Sequence, residues 1–174
     1  KIMELVFLFI GIVINLIILL EAEKMTKEVK ELFTRDDDLW YVKGAKKPFT
    51  GSHKLYHDNG LIESEANYKD GKLDGKTTQW YDNGHKDLEA YFKDDKEDGI
   101  RVQWHENGKI EAETNYNDGK LDGEATQWYD NGQKWIEENY KDGKRDGKYT
   151  SWNENGQLEV EAYFEDGERV SYIG

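Results

Sequence analysis

Gly75-Lys76-Thr77-Thr78-Gln79-Trp80-Tyr81 runs into Asp82-Asn83-Gly84 and then into His85-Lys86-Asp87-Leu88-Glu89-Ala90-Tyr91-Phe92. Two short stretches rich in aromatic and β-branched residues flank an Asn-Gly pair, the strongest short-range signal for a β-hairpin. The same punctuation returns at Asp58, Glu106, Asp130 and Glu154, so Asp/Glu-Asn-Gly recurs every 24 residues without slippage. Self-similarity at a fixed period of this size marks an array, each unit being one supersecondary element stacked on its neighbours. A second turn closes each unit. Lys69-Asp-Gly-Lys-Leu-Asp-Gly75 recurs as Asn117-Asp-Gly-Lys-Leu-Asp-Gly123 and Lys141-Asp-Gly-Lys-Arg-Asp-Gly147. Its glycines supply positive φ, and its short acids bond local backbone. In the second copy Asp95 replaces the first glycine, which predicts a local irregularity. The expected fold is mainly β: an elongated single-layer antiparallel meander of hairpins, preceded by an N-terminal α-helix.

Register decides what each face carries, because a shift of one residue turns every side chain of a strand over. A two-residue Asn-Gly turn would set Trp80 and Thr78 beside Asp87 and Glu89. A three-residue Asp-Asn-Gly loop, with Gly84 left-handed at a bulge, groups Trp80 and Thr78 with Leu88, Ala90 and Phe92 instead. The second is preferred, since it keeps acids away from the largest aromatic. It places Tyr56, Trp80, Trp104, Trp128 and Trp152 in one structural column, with Tyr68, Phe92, Tyr116, Tyr140 and Phe164 on the same face. Glu65, Glu89, Glu113, Glu137 and Glu161 then line the opposite face. Neighbouring members of this acidic column lie two strands apart, about 9 to 10 Å, too far to share one calcium ion. The column reads chiefly as carboxylates paired with cross-strand Lys, Thr and Gln, and secondarily as a partner contact.

Composition supports a thin sheet. Beyond residue 20 the apolar share falls to about 30%, low for a two-layer core. Net charge is −13, all of it after residue 20 because Lys1 and Glu4 cancel. Such a surface repels phosphate backbones, so nucleic acid is not an expected partner. There is no cysteine, which excludes disulfides.

The amino terminus is of a different character. From Leu5 to Leu20 only Gly11 and Asn15 interrupt large apolar side chains. Counted from Ile2 the run makes about 28 Å of helix, close to the ~30 Å hydrocarbon thickness. Residues 1–20 are therefore expected to anchor the chain in a membrane. A cleaved secretory signal, which would leave a secreted product, is the alternative, and the bulky Leu20 in Leu20-Glu21-Ala22 disfavours it. Met25, Val29, Leu32 and Phe33 then recur with helical spacing, so a helical stalk and acidic linker are expected over 21–39, the stalk ending at Arg35-Asp36-Asp37-Asp38. Residues 40–51, with Pro48, are expected to cap the array as a half repeat, and 52–174 to hold five hairpin units and a C-terminal cap.

The unit Trp-Tyr-Asp-Asn-Gly, a strand with Glu and Tyr, and Lys-Asp-Gly-Lys-Leu-Asp-Gly resembles the MORN repeat variant found in many bacterial proteins. The likeness runs from about Tyr41 to Arg169. It implies 24-residue MORN-like hairpins forming a long twisted sheet with a groove along one side. It also implies an interaction module without catalysis. Residues 1–20, read as a bacterial signal anchor, would place the repeats at a membrane or cell envelope, outside the cytoplasm. Some family members are regarded as antitoxin-like, and MORN repeats elsewhere have been linked to phospholipids, for which this chain lacks basic character.

A search for catalytic groups finds His53, His57, His85 and His105, scattered serines and many acids, with no convergent set. The paired acids of the turns, such as Asp70 and Asp74, are explained by the turns themselves. Neither a cofactor nor a metal is expected. The candidate binding residues are the Glu column (Glu65, Glu89, Glu113, Glu137, Glu161), the loop column members Tyr81, His105 and Tyr129, and Trp135. The expected partner is a protein bound through repeated weak contacts. A sugar ladder on the aromatics is the alternative, together with an antitoxin-like inhibitor of a basic toxin. Edge strands offer a route to a homodimer.

Overall fold

The computed structural model of the chain describes residues 31–173. The expected anchor over 1–20, and the stalk as far as residue 30, lie outside the described residues.

The described chain is built of antiparallel strands. β1 (Leu32–Thr34) and β2 (Trp40–Val42) form a separate two-stranded sheet. The main sheet contains β3 (Gly51–Tyr56), β4 (Ile62–Lys69), β5 (Lys72–Trp80), β6 (Lys86–Lys93), β7 (Lys96–Glu97), β8 (Gly99–Trp104), β9 (Ile110–Asn117), β10 (Lys120–Trp128), β11 (Lys134–Lys141), β12 (Lys144–Trp152), β13 (Leu158–Glu165) and β14 (Glu168–Ile173). Consecutive strands are neighbours from β3 to β14, apart from the short β7, which pairs only with β6. This is the expected meander of repeated hairpins.

Both turns take the forms their residues dictate. At each Asn-Gly loop the glycine is left-handed, as at Gly84 with φ 83°. Its amide reaches back to Tyr81 O (2.9 Å), while Tyr81 N donates to His85 O (2.9 Å), which encloses the expected three-residue loop. At the other end Asp70 (φ 49°) and Gly71 (φ 83°) are both left-handed between the paired Lys69 and Lys72, the two-residue turn that matches strand twist. Asp95 adopts φ 68° beside Asp94 at 49°, and the strand that follows is broken into β7 and β8 where other units have one nine-residue strand. Its carboxylate repays part of this strain by accepting Leu73 N at 2.7 Å, while its own amide donates to Leu73 O at 3.0 Å.

The face assignment needs correction. Trp80 lies opposite Lys86, as the three-residue loop requires, but the register then shifts and Gln79 pairs with Leu88, Thr78 with Glu89 and Thr77 with Ala90. Asp87 is the extra residue of a second bulge, and its offset cancels that of the loop. The shift recurs beside Tyr56, Trp104, Trp128 and Trp152. Alternation along the strands therefore puts the Trp column on the face of Glu65, Glu89, Glu113, Glu137 and Glu161, and Tyr68, Phe92, Tyr116, Tyr140 and Phe164 on the other. The expectation failed because it treated the Trp face as a dry core. In a single layer both faces are wet, so an acid beside tryptophan can be neutralised by lysine.

Buried residues are accordingly small. Ala90, Ala125 and Ala162 are buried on one face and Thr78, Thr126 and Thr150 on the other, and no large side chain among the described residues is fully buried. The largest buried apolar groups, Tyr41 and Phe49, belong to the cap. There Phe33 pairs with Tyr41 in strand, so the helical stalk does not extend through Leu32 and Phe33. The acids read as a linker make a tight turn: Asp38 N donates to Arg35 O (2.9 Å), and Asp37 accepts Leu39 N (3.1 Å) and the Tyr41 hydroxyl (2.7 Å). Arg35 lies over the Tyr41 ring at 3.8 Å. Trp40 and Phe49 then pack on Tyr68, with ring centroids 6.0 and 5.8 Å away, which joins the cap to the first hairpin.

Candidate functional site

Most of the regular residues bind one unit to the next. In the first four Asn-Gly loops the asparagine closes its own turn through Oδ1 and donates through Nδ2 to the next loop, while in the fifth Asn153 accepts the Asn155 and Gln157 amides. Asn83 accepts His85 N (2.8 Å) and donates to Glu106 O (3.1 Å). Asn59, Asn107 and Asn131 donate likewise to Asp82, Asp130 and Glu154. In the first four units the residue ahead of the loop acid reaches the tryptophan of the next unit. The Tyr81 hydroxyl donates to Trp104 O (2.7 Å) and that of Tyr129 to Trp152 O (3.0 Å). His57 and His105 each bring Nε2 to a tryptophan carbonyl, Trp80 O (2.8 Å) and Trp128 O (3.3 Å), and a bond there requires that nitrogen to carry the proton. Tyr81 and His105 thus serve first as straps.

The opposite edge repeats the device. Gly119, Gly143 and Gly167 donate their amides to Glu97, Leu121 and Arg145 carbonyls one unit back. Lys96 and Lys144 bridge to Asp118 and Asp166, both at 2.7 Å. Asp122 and Asp146, acids of these turns, accept amides of the following turn.

The Glu column is largely paired within the chain. Glu89 receives Lys76 (2.8 Å) and Lys86 (2.7 Å), and Lys86 also lies over the Trp104 ring at 5.2 Å. Burial pushes the Glu89 carboxyl up, and the two ammonium groups outweigh it, so the net shift is below the ordinary value. Glu65 pairs with Lys54 (3.6 Å), Glu137 with Lys134 and Glu161 with Lys148 (3.0 Å). The Trp column is half-buried throughout, so a stacking surface there is neither fully covered nor free.

Three of the residues singled out from the sequence do converge. His105, Tyr129 and Trp135 line a cavity of about 430 Å³ on the Ala/Gln face, beside the Asn-Gly edge, with Gln103, Glu111, Gln127, Asp130 and Glu154. The second bulge builds it. Glu63, Asp87, Glu111, Trp135 and Glu159 are its unpaired residues, and only in the fourth unit is that residue aromatic. Trp135 is 43% exposed and packs at a 36° tilt against Tyr129, with centroids 5.7 Å apart. A larger cavity, about 690 Å³, lies beside the cap among Leu32, Phe33, Trp40, His53, Leu55 and Tyr68 and contains none of the candidate binding residues.

One unit earlier, burial and the Asp87 carboxylate push Tyr81 up to about 12. A hydroxyl whose folded value lies above the ordinary value of about 10 supports the fold below pH 10 and loses that support as pH rises towards 12. The thermal unfolding temperature is expected to fall over that window, and less steeply for Tyr81→Phe, which will be the less stable of the two at pH 8 because the strap to Trp104 is gone.

Sequence reasoning missed a charge pair on the Ala face. Glu138 stands where Ala66, Ala90 and Ala162 stand in other units, and Arg145 where Leu73 and Leu121 stand. Arg145 Nε meets Glu138 at 2.6 Å and the Tyr140 hydroxyl donates to it at 2.9 Å, with Glu138 only 5% exposed. Reading those two columns together would have found it.

No curated protein matches the chain. The model of the MORN repeat variant matches five consecutive segments, 49–70, 73–94, 97–118, 121–142 and 145–166, each one Asn-Gly hairpin running to the first residue of its closing turn. Such units point to a repeat-based protein-interaction module and are generally non-enzymatic. With five matched units covering more than half of its length, the chain belongs to the MORN repeat variant family.

Proposed function

We propose that the chain is a non-enzymatic scaffold that binds an extended protein segment along the groove at the Asn-Gly edge, held at a membrane of the cell envelope by residues 1–20. The observation that carries the binding site is Trp135, an exposed indole packed against Tyr129 in a column otherwise made of acids. An aromatic platform ringed by Glu111, Asp130 and Glu154 suits a basic side chain, held by the ring face and the carboxylates together. The apolar run Leu5–Leu20 supports the tether. A sugar oligomer is the second reading, favoured by the same platform flanked by the Gln103 and Gln127 amides.

Titration of the full chain with a peptide of alternating Arg and Val is expected to shift the Gln103, Gln127 and Trp135 amides. Trp135→Ala should weaken binding at least tenfold. Response to an N-acetylglucosamine hexamer alone would replace the first reading by the second, and response to neither would end both. Loss of vesicle co-sedimentation on deletion of residues 1–20 checks the tether.

A further inference from the structure

The acidic column has one member whose partner is missing. Three positions supply lysines to it: the one held by Lys76 and Lys148, on the neighbouring strand, the one held by Lys86 and Lys134, three residues before the glutamate, and the one held by Lys54, directly opposite Glu65. In the third unit the first two of these positions are Ile100 and Ile110. Glu113 is also flanked by Val102 on one side, where other units have threonine or lysine, and by Thr126 on the other. Its half-buried carboxylate makes no side-chain hydrogen bond or ion pair among the described residues, while Glu65, Glu89, Glu137 and Glu161 each meet a lysine.

The surroundings are open and largely apolar, apart from Thr126 and the neighbouring Glu124 on its strand, which accepts the Thr126 hydroxyl at 3.4 Å. Ile100 is 45% exposed, Ile110 38% and Tyr91 43%. By strand alternation Tyr91 shares the face of Glu89, and Ile100 that of Val102, so these groups and the half-buried Trp104 form one patch around Glu113. A carboxylate set among aliphatic groups loses solvation without compensation, and an incoming cation restores it in a medium where the attraction is poorly screened. Contiguous exposed apolar groups of this kind, rimmed by polar ones, mark a contact surface.

We infer that Glu113 is the receptor for a lysine or arginine side chain of a partner protein, whose flanking apolar residues cover Ile100, Ile110 and Tyr91. The other four units supply the template: there the same carboxylate already holds an ammonium from within the chain. Charge complementarity fixes the occupant, because a neutral or acidic segment would leave the carboxylate desolvated and unpaired. The patch lies on the Trp/Glu face, opposite the Trp135 groove, and does not depend on it.

The test uses the full chain and two capped hexapeptides of alternating Val and Thr, one with a single central Lys and one with Gln in its place. The Lys peptide is expected to bind at least tenfold more tightly and to shift the amides of Val102, Glu113 and Thr126. Glu113→Gln should abolish that preference. Ile110→Lys, which installs the lysine of the second and fourth units, should abolish it as well by filling the site from within, and its melting curve reports whether the array is intact. Equal binding of the two peptides, or a preference that survives in Glu113→Gln, would overturn the inference.

Discussion

Arg145→Ala is expected to destabilise the fourth and fifth units by about 3 kcal/mol, the scale of leaving one member of a buried pair alone. The cost falls on Glu138, whose side chain is 7% exposed and would keep only the Tyr140 hydroxyl. Arg145 also spans the Tyr149 and Phe164 rings, at 5.4 and 5.5 Å, so its removal uncovers aromatic surface. Glu138→Ala should cost far less, about 1 kcal/mol, because the Arg145 side chain is 44% exposed and can turn to water. The double variant Glu138→Ala/Arg145→Leu restores the residues of the other units and is expected within about 1 kcal/mol of the parent. Stability in an array is partly local, so amide exchange in β11, β12 and β13 is the measurement to pair with urea unfolding. If Arg145→Ala and the double variant proved equally stable, the ion pair would have no structural weight.

The charge pair also shows where the sequence was legible. Period, hairpin, both turn types and the irregularity at Asp95 follow from short-range rules, since Gly and Asn have strong local preferences. Face assignment does not. It depends on the sum of two offsets, and a bulge at Asp87 carries no residue signature of its own. The helix-like spacing of Met25, Val29, Leu32 and Phe33 was overridden at its end by the turn of Arg35–Asp38, whose side-chain and backbone bonds close a hairpin. Among the candidate site residues, Tyr81 was legible as a column but not as a strap, because its partner is a backbone carbonyl 23 residues away.

Identity across the five units reports mechanics, and departure from it reports something else. Asn59, Asn83, Asn107 and Asn131 each saturate two turns at once, which leaves no choice at that position in the first four units. Trp135, the Ile100 and Ile110 pair, and the Glu138 and Arg145 pair all fall in the third to fifth units, where those mechanical demands are met by other residues. A repeat sheet can vary one unit at little cost to the rest, so a single distinctive surface can be built on a uniform frame.

That frame has its most sensitive point at Gly71, where the cap is seated. Gly71 N donates to Phe49 O (2.7 Å) and its carbonyl accepts Trp40 N (2.9 Å). A Cβ there would stand 2.8 Å from both Leu39 Cβ and Pro48 Cβ and 3.1 Å from Trp40 N, atoms that no side-chain rotation can move away. Gly60 has the same φ, 83°, and nothing within 4 Å. The two positions therefore separate strain from space. Gly60→Ala should cost about 1 kcal/mol, the left-handed penalty alone. Gly71→Ala adds the clash and is expected to cost about 3 kcal/mol or more, by displacing β1, β2 and Phe49 from Tyr68. Amide protection at Trp40, Tyr41 and Phe49 should collapse in Gly71→Ala, while the hairpins from β8 onward keep theirs. Equal losses for Gly60→Ala and Gly71→Ala would mean that the cap yields freely, and that the backbone angle alone requires glycine at this turn.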